Sequence, residues 1–319
     1  MGTPLFSANV LSNLLSLHLI DAVYTKPPAP TKRGLKLALS KVHEVALDNN
    51  IRVFHPKSFK KQTAVEEFVN QNFDLAIVVA YGLILPKEVF ASPKHGTINL
   101  HTSLLPRWRG AAPIERALEA GDPKTGVTIM HIEEGLDSGD IIFQEEIPLT
   151  EKTTARTVYN QMAEIGSNLL LQTINKLNNK EVLPRFPQNH SLANYAKMLK
   201  KEEGKIDFGQ TSINIIRKIN AFEIFPGSYF YYNNEIFKVL KASIVTLEQL
   251  QMLPEVQNAL LNNSLPFTPG FIINTKDSLY IATNDSFISI EALQRAGKKA
   301  LSIKEFLKGY NFNTGSFVS

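Results

Sequence analysis

Leu75-Ala76-Ile77-Val78-Val79-Ala80 is an uncharged, wholly apolar run. A half-exposed strand would alternate apolar and polar residues, whereas a strand covered on both faces reads as continuous hydrophobicity. This run therefore predicts a buried strand of a parallel sheet. Around it, Ala22–Tyr24, Arg52–Phe54, Thr97–Leu100, Val127–Ile132 and Ile141–Gln144 read as further strands, and Ser40–Asn49 and Lys61–Asn70 as amphipathic helices. The alternation predicts an α/β fold, a doubly wound and mostly parallel sheet. Beyond Thr153 or Thr154, both suited to cap a helix, Val158, Met162, Ile165 and Leu169 form one apolar stripe that closes a first domain spanning 1–180.

Residues 181–205 change character, with Pro184, Pro187 and a lysine-rich stretch from Lys197 to Lys205, and are predicted to be a linker. Residues 206–319 form a second domain. A helix over Ser212–Ala221 precedes two hairpin patterns: Ser228–Tyr232 and Glu235–Val239 flank Asn233-Asn234, and Leu279–Thr283 and Phe287–Glu291 flank Asn284-Asp285-Ser286. A β-barrel of oligonucleotide-binding type is expected. At the other end, Met1-Gly2-Thr3-Pro4 reads as the loop from a first strand into a helix at Ser7–Ser16. The first strand itself is missing from the sequence. It would be central in such a sheet, so its absence would leave a slot among buried strands; either the initiation codon is placed too late or this version lacks a central strand.

With 319 residues, 44% hydrophobic and 20% charged, the composition is that of a folded globular chain. No cysteine is present, which excludes disulfides and thiolate chemistry. The seven histidines show no HxH or HxxxH pairing, so no metal is expected. The apolar stretch Leu75–Leu85 is about half of the ~20 residues a membrane helix needs, and no charged segment precedes Val10–Ile20 as a signal peptide requires. No membrane association is expected, and the net charge of +4 leans towards a polyanionic partner.

The chemistry concentrates in Asn99–Ile114. Asn99 and His101 lie two apart on a strand and so face one side. An amide can hold a developing oxyanion without titrating, and an imidazole can move a proton near neutral pH. The loop that follows, Ser103-Leu104-Leu105-Pro106, offers backbone groups and an apolar shelf for a flat heterocycle, and Arg107 and Arg109 flank Trp108 in a combination suited to stacking and anion contact. A carboxylate partner is offered by Asp137 or Asp140 within Gly135–Asp140, and spacing does not choose between them. Thr25–Lys36 is a basic, proline-rich loop that could grip a phosphate backbone or simply be solvated. His18, His43, His55, His95, His131 and His190 are scattered and read as packed or solvated.

Together these residues closely resemble the methionyl-tRNA formyltransferase family, whose members use 10-formyltetrahydrofolate. The resemblance runs through Asn99–Asp122, Ala80–Pro86, Gly126–Met130, Gly135–Asp140, Ala196–Leu199, Lys205–Asp207 and Leu293–Ala300. It implies formyl transfer from 10-formyltetrahydrofolate to the α-amine of methionine on initiator tRNA. Asn99, His101 and Asp137 would be catalytic, the resemblance selecting Asp137 over Asp140. Ser103, Leu104, Leu105 and Pro106, with Tyr81, Gly82 and Leu83, would bind the folate. Lys26, Lys32, Arg33, Lys36 and Arg109 would contact tRNA. A monomer is expected, in a bacterial cytoplasm or an organelle matrix. Two alternatives stand beside it: a formyltransferase acting on a small amine, and a tRNA-binding protein left inactive by the missing strand.

Overall fold

A computed structural model of the chain describes residues 1–15, 20–30, 37–253, 256–257 and 268–319. They form two compact units. The first comprises Met1–Pro113, Lys124–Pro148 and Thr157–Ala196; the second comprises Ile114–Pro123, Leu149–Arg156 and Lys197–Ser319.

In the first unit, β1 (Ala22–Tyr24) pairs in parallel with β2 (Arg52–Phe54). A separate four-stranded sheet has the order β3 (Ala76–Val79), β4 (Thr97–His101), β5 (Lys124–His131), β6 (Ile141–Pro148). Only β3 and β4 run in parallel there; β4 with β5 and β5 with β6 are antiparallel. The mostly parallel sheet expected from the sequence is thus corrected to a mixed one. The connection from His131 to Ile141 is too short for a parallel crossover, which takes a dozen or more residues, so β6 returns antiparallel beside β5.

Successive side chains of β1 feed two different cores. Val23 packs with Ala8 and Leu11 of α1 (Leu5–Leu14) and with Val42 and Ala46 of α2 (Lys41–Asp48). Tyr24 packs on the other face with Val65 and Phe68 of α3 (Gln62–Val69) and with Phe59, Val78 and Tyr81. Both faces are covered, as a doubly wound sheet requires.

Met1 and Gly2 bridge β1 and β3. Met1 N donates to Ile77 O at 2.7 Å. Val79 N donates to Met1 O and Gly2 N to Tyr24 O, each at 2.9 Å. A Cβ on Gly2 would sit 2.6 Å from Ser7 Cβ, so only glycine fits there. A cavity of about 980 Å³ adjoins these residues, lined by Leu11, Val23, Phe73 and Ile77 among others.

The second unit is an antiparallel half-barrel. Its order is β7 (Ser228–Tyr232), β8 (Glu235–Val245), β11 (Phe287–Arg295), β10 (Leu279–Ala282), β9 (Ile272–Asn274), with β12 (Ala300–Ser302) beside β11. Asn233 and Asn234 turn the first hairpin with φ of 48° and 62°, the left-handed pair such a turn needs. The helix Ser212–Ala221 forms as predicted, and Asp285 caps it by accepting from Ser212 N at 2.7 Å. The C-terminal tail serves both edges: Ser319 exchanges hydrogen bonds with Tyr231, and Ile272 N donates to Ser316 O.

Candidate active site

Strand β4 ends with Asn99 and His101, and alternation sets both on one face of the sheet. Asn99 is half-buried, and among the described residues its amide has no hydrogen-bond partner. His101 is buried. Its Nε2 lies 2.9 Å from the Trp108 carbonyl oxygen. A carbonyl only accepts, so Nε2 carries the hydrogen and the lone pair of the neutral ring sits on Nδ1. That nitrogen lies 3.6 Å from Asp137 Oδ2. The same oxygen accepts from Gly110 N at 2.8 Å.

Asp140 is differently engaged. Arg185 Nη1 donates to it at 3.1 Å and to Glu133 at 2.8 Å. Of the two aspartates, Asp137 is thus the one beside His101, and Asp140 pairs with Arg185.

The loop 103–106 is pinned from beneath. Thr128 Oγ1 donates to Ser103 O at 2.6 Å and accepts from Leu105 N at 3.2 Å. Gln144 Nε2 donates to Leu105 O at 2.9 Å. Ser103 and Leu105 are buried, Leu104 and Pro106 half-buried. A Cβ on Gly126 would fall 2.5 Å from Leu104 Cδ2, so the loop rests directly on β5.

Tyr81, Gly82 and Leu83 follow the C-terminal end of β3, beside β4. Ligands in open α/β sheets bind at such strand ends. Tyr81 and Leu83 pack into the Tyr24–Phe68 cluster. Burial, with Tyr24 adding to it, pushes the Tyr81 hydroxyl above its ordinary pKa. Gly82 has φ of 75°, and Lys26 lies over it, with Nζ 2.7 Å from where a Cβ would stand. One expected tRNA contact thus meets the expected folate segment. Lys32, Arg33 and Lys36 lie outside the described residues, as does His18.

Arg109 requires a correction. Read as a tRNA contact, it is only 3% exposed. Its guanidinium donates to Gln188 Oε1 from Nε at 3.1 Å and from Nη2 at 2.7 Å, and Nη2 lies 3.2 Å from His190 Nδ1. A side chain so enclosed cannot meet a polyanion. Arg107 is the exposed arginine of this loop, stacked 4.5 Å over the Trp108 ring.

The stretch predicted to be a linker contributes the other wall. Tyr195-Ala196 pairs in parallel with Arg109-Gly110, and Asn194 Oδ1 accepts from Trp108 N. Thr128, Gln144, Gln188 and Asn194 were missed by sequence reasoning. Only Thr128 left a signal, as a lone hydroxyl within the apolar run of β5.

Among the described residues no group of His, Asp or Glu is placed to hold a metal ion, and no helix is long and apolar enough to cross a membrane. A family model described as formyl transferase matches residues 1–174, and one described as formyl transferase, C-terminal domain, matches 198–311. A methionyl-tRNA formyltransferase of Pseudoalteromonas translucida is 40% identical over 309 residues, covering 97% of this chain and 92% of that protein. Two solved structures share the fold. A sugar 3N-formyl transferase crystallised with dTDP and 5-N-formyl-THF superposes with a TM-score of 0.64 at 19% identity, over 93% of this chain and 97% of that one. An N-formyltransferase from Helicobacter canadensis, bound to folinic acid and dTDP-3-aminofucose, gives 0.63 at 20% identity, over 92% and 97%.

Proposed function

The chain belongs to the formyl transferase family, and from that premise we propose that it moves a formyl group from a folate donor to the α-amine of methionine on initiator tRNA. The donor is 10-formyltetrahydrofolate. The observation that carries this reading is the juxtaposition at the end of β4: an amide that has no hydrogen-bond partner among the described residues, beside an imidazole whose Nδ1 faces a carboxylate.

The amine attacks the formyl carbon, the bond from that carbon to the folate nitrogen breaks, and one proton passes from the amine to the departing nitrogen. Asn99 donates to the formyl oxygen and to the oxyanion that replaces it. His101 handles the proton at Nδ1, because Nε2 is committed to the Trp108 carbonyl. Asp137 faces the imidazolium that forms and offsets its charge. Ser103–Pro106 and Tyr81–Leu83 hold the folate. Residues 1–180 carry the chemistry, and 206–319 bind tRNA. In the second unit Lys205 Nζ lies 5.6 Å over the Tyr231 ring, and Tyr231 stands beside Tyr229 at 5.7 Å. Cations mixed with aromatic faces suit a nucleic acid strand.

The test is a transfer assay from 10-formyltetrahydrofolate with two kinds of acceptor, charged initiator tRNA and free amines such as amino sugars. Formylation of the methionyl-tRNA is expected. Transfer only to the small amines would overturn the reading, and tRNA binding without any transfer would favour an inactive binding protein. A companion prediction concerns the basic loop. Replacing Lys26, Lys32, Arg33 and Lys36 by glutamine should weaken tRNA binding and flatten the slope of log Kd against log salt by up to about three to four charges. An unchanged slope would remove the loop from the tRNA surface.

A further inference from the structure

We propose that Gln188 is a positioning residue for catalysis, the clamp that holds Asp137 at its working distance from His101. This rests on the reading of His101 and Asp137 as the proton-handling pair.

The Gln188 side chain is 95% enclosed, with 5% exposure, and uses its whole hydrogen-bonding capacity. Its Nε2 donates to Asp137 O at 3.0 Å and to Gly139 O at 2.8 Å. Its Oε1 accepts twice from Arg109. An amide has two donor hydrogens and two acceptor lone pairs, and all four are engaged.

These bonds tie together the two loops whose separation sets the site. One loop runs through Trp108, whose carbonyl fixes His101, and Gly110, whose N–H fixes the Asp137 carboxylate. The other carries Asp137 itself. Asp137 has φ of 48°, a left-handed conformation that costs an L residue free energy and persists only where neighbours impose it. Two donations from Gln188 to the carbonyls of Asp137 and Gly139 impose it from one side, and Gly110 N holds the carboxylate from the other. Gly139 has no room to drift, since a Cβ there would meet His131 O at 2.1 Å.

Arg109 anchors the clamp. Its guanidinium offers N–H donors and no acceptor, so it orients the Gln188 amide with its oxygen towards the guanidinium and its nitrogen towards the loop carbonyls. The orientation of the amide therefore follows from chemistry. His190 Nδ1 accepts from Arg109, completing the enclosure.

Two variants separate positioning from packing. Gln188→Glu keeps the shape and the Arg109 contact but turns a carboxylate oxygen towards two carbonyls, where an N–H donor stood. Gln188→Met keeps the volume and loses every bond. Both are expected to lower kcat for formyl transfer to methionyl-tRNA by about 10- to 100-fold, the scale of small misplacements at a reacting centre. KM for tRNA and for the folate donor should stay within about twofold, and the pH profile of kcat should shift, because the Asp137–His101 geometry sets it. Asp137→Ala is measured alongside. If Asp137→Ala lowers kcat while Gln188→Glu keeps both the wild-type kcat and its pH profile, the clamp is wrong. A loss confined to KM for tRNA also overturns it. If Asp137→Ala itself leaves kcat unchanged, it is the reading of the proton-handling pair that fails. Should Gln188→Met fail to fold, Gln188→Glu decides alone.

Discussion

Replacing His101 with alanine is expected to lower kcat by about two to four orders of magnitude, the usual contribution of a general acid–base. Asn99→Ala should cost about two to three orders, as the loss of an oxyanion donor does. Both side chains stand on the end of a buried strand flanked by β3 and β5, so the backbone that carries them has little reason to move. Binding of tRNA should accordingly stay near the wild-type value in both variants. The measurement is single-turnover formylation with a parallel tRNA-binding titration. Equal losses in turnover and binding would mean that these residues serve structure and not chemistry.

The second large effect is on stability. Phe237 is fully buried in the second unit and is ringed by Phe230, Phe306, Tyr310 and Phe312, with ring centroids 5.1 to 6.0 Å away. Truncation to alanine removes the hub of this cluster and leaves a cavity that stiff aromatic neighbours cannot fill. A loss of about 3–5 kcal/mol is expected. Against a typical domain stability of about 5–15 kcal/mol, that is enough to move a urea midpoint well outside error. A loss below about 1 kcal/mol would mean that the cluster closes over the gap.

Much of this was legible in the sequence, for reasons that differ by residue. Ser212–Ala221 could be bounded because its apolar period is helical and Asn233-Asn234 could be placed because few pairs accept two left-handed residues. Strand β8 runs to Val245, beyond the predicted Val239, because irregular register around Lys241 breaks the alternation that marks a strand. Asn99, His101 and the two aspartates could be singled out because amide, imidazole and carboxylate are side-chain types able to carry chemistry. Gln188 was invisible because its partners lie 49 to 79 residues away, and a glutamine among prolines carries no local signal. Arg109 was misread for the same reason: a charge is taken as solvent-facing until its distant partners are known. No contiguous reading shows that residues 114–123 and 149–156 belong with 197–319.

Ala80, Trp108 and Asp137 share a backbone property: φ of 46°, 63° and 48°. Asparagine and glycine accept that conformation cheaply, and most of the other positive-φ positions among the described residues are indeed one or the other. Here an alanine, a tryptophan and an aspartate bear it, all on the loops that frame His101. Each stores about 1–3 kcal/mol that a more compliant residue would release. A population selected for thermal survival alone is expected to accumulate glycine or asparagine at Ala80 and Trp108, whereas at Asp137 the same exchange would take away the carboxylate proposed to face His101.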